Sequence, residues 1–154
     1  MTRLSWDEYF IEVAAAAALR TTCLRRKVGA VLVKDNRIIA TGYNGPPAGF
    51  DHCETCHRKD SDSGSDLQGC YGVHAEQNAI LYATKIAGDI SGSTLYVTTQ
   101  PCTYCCKIII VAGISKVVFS TKYNDTFGLN MLKKAGIVIK EVNGGKSSID
   151  KDRG

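Results

Sequence analysis

The sequence lacks long apolar runs, internal repeats and any large excess of charge of one sign. Its longest apolar stretch, Val13 to Leu19, has only seven residues, whereas a membrane-spanning helix needs roughly 20. The first residues read Met-Thr-Arg-Leu-Ser-Trp-Asp-Glu and contain no apolar core of a secretion signal. We therefore expect no membrane span and no export, and a location in the cytoplasm, or in the host cytoplasm if the source is viral.

The net charge is only +4, from 19 Lys and Arg against 15 Asp and Glu. This mild excess is far below the charge density of a nonspecific nucleic-acid-binding protein, so no nucleic-acid partner is expected. Four of the cations lie within eight residues, at Arg20, Arg25, Arg26 and Lys27. Such a cluster either binds a phosphate group or forms a solvated face.

The length of 154 residues and the 44% of hydrophobic residues are typical of one globular domain. Residues 1–142 are expected to form this domain, with a Cys-rich insertion over residues 51–73 and a flexible tail over residues 143–154. The insertion is polar and long for a loop inside a compact domain, so we expect it to be functional, disordered or held by something other than a core.

Local patterns predict alternating helices and strands. Ser5-Trp6-Asp7-Glu8 is a capping box, and Pro101 suits the first turn of a helix. The order of elements predicts an α/β fold, a five-stranded mixed sheet with helices on both faces. The predicted helices run to Arg20 from this capping box and over His74–Ala87, Pro101–Ala112 and Leu129–Ala135; the predicted strands are Val28–Val33, Arg37–Gly42, Thr94–Thr98, Lys116–Ser120 and Ile137–Val142.

The seven cysteines are more consistent with metal binding than with disulfides, because the expected compartment is reducing. Two segments combine into a metal site: His74-Ala75-Glu76 and Pro101-Cys102-Thr103-Tyr104-Cys105. One imidazole and two thiolates form a zinc site with an open fourth position for water. Both segments begin helices, whose N-termini favour thiolates.

Glu76 lies two residues after His74, where it can reach a zinc-activated water without being a ligand. The carboxylate can then take and return protons. The pattern H-x-E…P-C-x-x-C is the signature of zinc nucleobase deaminases. Each half alone is a weak signal, and a structural zinc site or a thioredoxin-like redox pair is the alternative.

The sequence resembles the deoxycytidylate (dCMP) deaminase family over roughly residues 4–142. The resemblance rests on five segments, on the opening Ser5-Trp6-Asp7-Glu8-Tyr9-Phe10 and on the Thr22-Cys23 pair before Arg26. It implies the three-layer α/β/α fold of cytidine deaminases. The five segments are Val28-Gly29-Ala30-Val31, Gly42-Tyr43-Asn44-Gly45, His74-Ala75-Glu76-Gln77-Asn78-Ala79-Ile80, Tyr96-Val97-Thr98 and Pro101-Cys102 with Cys105.

The resemblance also implies a reaction. Zinc would be bound by His74, Cys102 and Cys105, dCMP would be hydrolysed to dUMP and ammonia for dTTP synthesis, and Glu76 would transfer the protons. Asn44 would contact the deoxyribose hydroxyl, and Ala75 would also line the substrate site. Family members are usually hexamers that dCTP with Mg²⁺ activates and dTTP inhibits, at sites near the loop of Asn44 and Gly45.

Two further side chains are candidates for substrate contact. Arg26 precedes the first core strand and could bind the 5′-phosphate, since Arg suits bidentate phosphate contacts; a solvated side chain is the alternative. Tyr123 follows the fourth strand and could stack on a base or simply pack.

The remaining cysteines suggest a second, structural zinc that would order the insertion. Some members of the family bind a second zinc through the cysteines that match Cys23 and Cys53. Spacing alone suggests Cys56 and Cys70 as the other ligands, with His57 as a substitute for Cys56 and His52 as a weaker one. Reduced, partly exposed thiols are the alternative. Cys106 points about 100° away from Cys105 on a helix and is expected to be a small buried residue.

Other functions fit parts of the pattern. A deaminase of tRNA adenosine shares the zinc signature, but the loop of Asn44 and the Cys-rich insertion match the nucleotide family. A free-nucleoside deaminase would need no cation for a phosphate, and many of these enzymes have Cys where this chain has His74. A zinc-stabilised binding module would have no use for Glu76.

Overall fold

The fold is built on a mixed five-stranded sheet. A computed structural model describes residues 2–62, 64–122 and 124–144. The strands lie in the order β2-β1-β3-β4-β5; β1 is antiparallel to β2 and β3, and β3, β4 and β5 are parallel. The elements are α1 (Trp6–Ala18), β1 (Gly29–Lys34), β2 (Arg37–Tyr43), α2 (Ala75–Ala87), β3 (Thr94–Thr99), α3 (Thr103–Val111), β4 (Lys116–Thr121), α4 (Thr126–Lys134) and β5 (Val138–Glu141).

Helices cover both faces of the sheet, so the predicted three-layer α/β/α architecture is confirmed. On one face, α1 packs Phe10, Ile11 and Ala14 against Val31 and Val118. On the other face lie α2, α3 and α4. Their buried members include Ala79, Ile80, Ala83, Ile109 and Leu132, which share a core with Leu32, Leu95, Val97, Val117 and Phe119.

Several predicted helix ends are wrong by a few residues. Helix α1 ends at Ala18, before Arg20. Helix α3 begins at Thr103 with Cys102 as its N-cap, so Pro101 precedes the helix. Helix α4 begins three residues before Leu129, because the carboxylate of Asp125 accepts from the N–H of Phe127 and caps the helix there.

The strand ends also differ slightly from the prediction. Strand β1 starts and ends one residue later, β2, β3 and β4 each extend one residue further, and β5 spans only Val138–Glu141. The predicted turn between β1 and β2 is confirmed. Asp35 and Asn36 have φ angles of 51° and 56°, as the type I′ turns of tight hairpins require.

Two glycines let helices approach the sheet closely. A Cβ on Gly29 would lie 1.8 Å from the main-chain oxygen of Ala14 in α1, and one on Gly42 would lie 2.3 Å from that of Ala75 in α2. Real side chains do not approach backbone atoms this closely. Gly42 therefore sets how near the first turn of α2, which carries the zinc-signature residues, lies to β2.

No helix within the described residues is long and apolar enough to cross a membrane. The Cys-rich insertion contains no helix or strand of its own among its described residues, apart from the bridge that Val73 forms with Gly45. The guanidinium of Arg25 fastens it to the loop after α1, because it donates to the main-chain oxygens of Arg58 at 2.8 Å and Ser61 at 2.6 Å. Of the predicted flexible tail, residues 145–154 lie outside the described residues.

Candidate active site

His74 is fixed in place by its neighbours on both sides. Val73, just before it, exchanges two main-chain hydrogen bonds with Gly45, at 2.8 and 3.1 Å. His74 is itself the N-cap of α2, and its N–H donates to the side chain of Gln77 at 2.8 Å. The loop of Asn44 and Gly45 and the start of α2 are thus held together, with the imidazole of His74 between them and the next segment.

Cys102 and Cys105 face that imidazole from the start of α3. Cys102 is the N-cap of the helix and Cys105 lies in its first turn. The Nδ1 atom of His74 is 3.3 Å from the Sγ of Cys105 and 3.6 Å from the Sγ of Cys102. The three ligand atoms lie within 4.8 Å of one another, and no other such group occurs among residues 2–62, 64–122 and 124–144.

Hydrogen bonds among the two cysteines and the histidine shift their pKa values. The hydrogen bond from Cys105, followed by that from His74, lowers the pKa of the Cys102 thiol to about 4. The hydrogen bond with Cys102 in turn raises the pKa of His74. The hydrogen bond with Cys102 also raises the pKa of the Cys105 thiol, so without a metal the protons stay on His74 and Cys105, and a bound cation would take their place because metal ligands must be deprotonated. Both cysteines are buried, whereas the cavity beside His74 and Cys102 leaves room for water.

Glu76 is buried beside this trio. Its residue is only 5% exposed, and it lines the same cavity as His74 and Cys102. Burial is the main cause that raises the pKa of its carboxyl group to about 7. A carboxyl group with a pKa close to neutrality can both accept and donate a proton at physiological pH. The arrangement therefore combines a zinc-type ligand set with a proton-transfer group.

The comparisons with known proteins point to the same chemistry. Residues 4–121 match the family model described as the cytidine and deoxycytidylate deaminase zinc-binding region. The chain belongs to the cytidine and deoxycytidylate deaminase family. The predictions of a zinc-binding region and of a deaminase, which is a hydrolase, are thereby confirmed.

Several members of this family are similar to the chain over most of its length. The deoxycytidylate deaminase of Mycobacterium phage D29 is 49% identical over 77% of this chain and 97% of its own. That of Schizosaccharomyces pombe is 43% identical over 90% of this chain but only 44% of its own. The dCMP deaminase of cyanophage S-TIM5, solved in complex with dCMP and dUMP, has 31% identity and a TM-score of 0.78, covering 92% of this chain and 100% of that one.

The other candidate substrate residues lie around the same cavity. Asn44, Gly45, Ala75 and Arg26 all line it, together with His74. The carboxamide of Asn44 has local partners: it accepts from the N–H of Val28 at 2.8 Å and donates to the main-chain oxygen of Arg26 at 2.9 Å. It thereby shapes the cavity wall. Tyr123 lies outside the described residues.

The four cysteines of the proposed second zinc site also line this cavity. Cys23, Cys53, Cys56 and Cys70 are all half-buried and free of disulfides. Within the described residues they do not form a group whose ligand atoms all lie within 4.8 Å. The suggested substitute, His57, is exposed, and its Nε2 lies 3.1 Å from the main-chain oxygen of Asp66.

Three other side chains have defined positions. His52, the weaker substitute, lies with its Nδ1 2.9 Å from the hydroxyl of Thr22. Cys106 is fully buried, and this burial raises its pKa to about 12, as expected of a packed thiol. Trp6, from the start of α1, lies half-exposed and stacks on Phe10.

Sequence reasoning missed two buried polar residues among those that line the cavity. Arg58, in the Cys-rich insertion, is only 6% exposed, and Gln100, next to Pro101, is only 2% exposed. Gln100 did have a sequence signal, because it lies directly between the end of β3 and Pro101 of the zinc motif. Arg58 had no such signal, because charged residues in a polar loop are usually exposed.

Proposed function

We propose that this chain hydrolyses dCMP to dUMP and ammonia with a zinc ion bound by His74, Cys102 and Cys105. The single observation that carries the proposal is the convergence of these three ligand atoms beside the buried carboxyl group of Glu76. The proposal of dCMP as substrate is supported by relatives that are named deoxycytidylate deaminases.

The reaction needs no oxidant or reductant. The oxygen of water forms a bond to C4 of the cytosine ring, the bond from C4 to the exocyclic nitrogen breaks, and the nitrogen leaves as ammonia. A zinc ion in this ligand set supplies Lewis-acid activation of the attacking water. Glu76 takes the first proton of the water and delivers it to N3 of the ring; it then takes the proton of the new hydroxyl group on C4 and delivers it to the leaving nitrogen.

Residues around the cavity would orient the nucleotide. Asn44 would contact the deoxyribose hydroxyl, Ala75 would lie against the pyrimidine, and Arg26 would approach the 5′-phosphate. Their support is their common position on the cavity wall. Asn44 already bonds Val28 and Arg26, so it would hold the sugar with its second amide hydrogen and its second lone pair.

We further propose a second, structural zinc bound by Cys23, Cys53, Cys56 and Cys70, with His57 able to replace Cys56. Its support is that all four thiols are half-buried and line the same cavity. Metal binding would draw the four sulphurs together and order the insertion. Free thiols require a reducing compartment, which favours the cytoplasm.

Regulation and assembly extend the proposal. The loop of Asn44 and Gly45 would lie near a nucleotide effector site where dCTP with Mg²⁺ activates and dTTP inhibits. The chain would act as a homo-oligomer, and we expect this oligomer to be a hexamer. A supporting feature is the exposed apolar surface of α2 and α3, where Leu81, Ile86 and Val111 are 56%, 70% and 88% exposed.

A substrate panel tests the proposed reaction. Zinc-loaded protein is incubated in parallel with dCMP, deoxycytidine, dCTP and tRNA, and the loss of ultraviolet absorbance and the release of ammonia are followed. We expect turnover of dCMP, with faster turnover when dCTP and Mg²⁺ are present and slower turnover with dTTP. Turnover of tRNA adenosine alone would contradict the proposal, and turnover indifferent to both effectors would remove only the regulation.

Metal analysis tests the second zinc. Wild-type protein is expected to bind two zinc ions per chain, and Cys53→Ser only one, because loss of one thiolate weakens a closed four-ligand site. Cys106→Ser is the matched control, since Cys106 is not a proposed ligand. One zinc ion per wild-type chain would contradict the second site and leave the first intact.

A further inference from the structure

Three arginines line the cavity next to His74 and Glu76. Arg25 and Arg26 come from the loop after α1, and Arg58 comes from the Cys-rich insertion. Burial and the nearby charges of Arg26 and Arg58 lower the pKa of Arg25, since like charges disfavour one another. This cavity therefore concentrates positive charge.

Arg58 is the most buried of the three and has no carboxylate partner. Only 6% of the residue is exposed. The ion pairs formed among residues 2–62, 64–122 and 124–144 join Asp7 to Lys116 and Lys140, and none of them includes Arg25 or Arg58. A buried charge without a counter-charge is costly, and proteins almost always pair it.

Protein contacts hold the Arg58 side chain in position and leave part of it free. Its Nε donates to the main-chain oxygen of Ser65 at 2.8 Å, and its Nη1 lies 3.7 Å from the Sγ of Cys70. Its own main-chain oxygen is held by Arg25. Within the described residues Nη2 has no hydrogen-bond partner, although the side chain lines the cavity.

We propose that Arg58 binds the 5′-phosphate of the substrate and makes the enzyme specific for the nucleotide over the nucleoside. The inference rests on the proposed function, because it assigns a residue to the phosphate of dCMP. A phosphate supplies the counter-charge that no carboxylate of the described residues provides, and a guanidinium held by two protein contacts donates its remaining N–H groups at little entropic cost. The Cys-rich insertion thereby becomes part of the substrate site.

The competing explanation is that Arg58 serves the thiolates of the insertion. Its Nη1 donates to the Sγ of Cys70 at 3.7 Å, an ordinary distance for a hydrogen bond to sulphur, but this contact uses only one of the five N–H groups of the guanidinium. A role that stops at Cys70 leaves Nη2 without an acceptor. A phosphate bound in the cavity that Arg58 lines together with His74 and Glu76 supplies an acceptor for Nη2.

The test compares Arg58→Gln with the matched control Lys59→Gln, which removes the same charge from the exposed neighbouring residue. For each protein, kcat/KM is measured with dCMP and with deoxycytidine, and zinc content and thermal midpoint are recorded. In Arg58→Gln we expect the ratio of the two kcat/KM values to fall by about 10- to 100-fold, as for loss of a charge-assisted hydrogen bond. In Lys59→Gln the ratio is expected to match wild type.

A second variant guards against loss of folding. Arg58→Lys keeps the charge but not the fork of N–H groups, and we expect it to keep part of the preference for dCMP. An unchanged ratio in Arg58→Gln, with wild type preferring dCMP, would overturn the role of Arg58 and leave the proposed function standing. If Arg58→Gln lowers kcat/KM equally for dCMP and deoxycytidine and also loses zinc, the role of Arg58 at the phosphate would be overturned, and its contact with the thiolates of the insertion would explain the residue. A wild type that turns over deoxycytidine as well as dCMP would overturn the phosphate role of Arg58 and dCMP as the preferred substrate. A zinc-loaded wild type that turns over neither compound would overturn the proposed function itself.

Discussion

The side-chain amide of Gln100 donates a hydrogen bond of 2.6 Å to the main-chain oxygen of Asp125, while its own carbonyl oxygen is buried without a protein partner among the described residues. Thr103 adds a second link, since its hydroxyl donates to the carboxylate of Asp125 at 2.9 Å. Asp125 is the N-cap of α4. The segment that carries Cys102 is therefore tied on both sides to the start of the last helix.

Replacement of Gln100 by Met tests the energetic consequence of the unpaired oxygen. The variant loses a hydrogen bond worth about 1 kcal/mol but also removes a buried unpaired acceptor, which costs about 1–3 kcal/mol. We expect the free energy of unfolding to change by less than about 1 kcal/mol. Denaturant titration of zinc-loaded protein measures it. Thr103→Val, which only loses a bond, is the control; a loss in Gln100→Met far greater than in this control would show that the oxygen is paired.

The buried carboxyl group of Glu76 predicts a pH-dependent stability in the metal-free protein. Burial raises its pKa from 4.5 to about 7, so its contribution to stability is fully present below pH 4.5 and is lost as the pH rises through 7. Relative to Glu76→Gln, the wild type should lose about 3 kcal/mol of unfolding free energy between these limits. Denaturant midpoints of both metal-free proteins from pH 4 to pH 8 measure the difference. Parallel curves would contradict the raised pKa.

The close approach of α2 to β2 at Gly42 predicts that a larger residue there lowers both stability and kcat. In Gly42→Ala the new Cβ would meet the main-chain oxygen of Ala75, and α2 would have to move away from β2 together with His74 and Glu76. We expect a loss of about 1–3 kcal/mol in unfolding free energy and a lower kcat. Thr41→Ala, at an exposed position of the same strand, is the control. A Gly42→Ala variant as stable and active as this control would show that the close approach is unimportant.

The lowered pKa of Asp7 predicts how the stability of the protein changes in acid. Partial burial opposes its ionisation, but hydrogen bonds from Lys140, Tyr96 and Lys116 outweigh this and lower its pKa to about 2. The resulting stability is present above pH 3.8 and is lost as the pH falls through 2. We expect Asp7→Asn to cost roughly 2 kcal/mol at pH 7 and the difference from wild type to shrink below pH 4. A difference that is constant down to pH 2 would contradict this account.

The sequence predicted the fold and the metal trio because both have local signals. The order of strands and helices, the capping box at Ser5 and the two helix starts at His74 and Cys102 depend on neighbouring residues. Helix ends were less accurate, as at Pro101, because Cys102 and not the proline caps α3. The capping of α4 by Asp125 was likewise not anticipated, although Asp is a favourable cap.

The cavity could not be predicted from sequence to the same degree. Arg58 is buried only because the polar insertion folds back over the site and because Arg25 fastens it there. Such contacts join residues more than 30 positions apart and follow no periodicity. Asn44 shows the converse: the sequence suggested it as a substrate residue, but not its bonds to Val28 and Arg26.

The most direct test of the central claim compares wild-type protein with Glu76→Gln on dCMP, with bound zinc measured in both. We predict that wild type forms dUMP and ammonia in equal amounts, and that the variant binds the same amount of zinc and lowers kcat by about 10²- to 10⁴-fold, as expected when a proton-transfer group is lost. A zinc-loaded wild type that forms no dUMP, or a variant as active as wild type, would contradict the account.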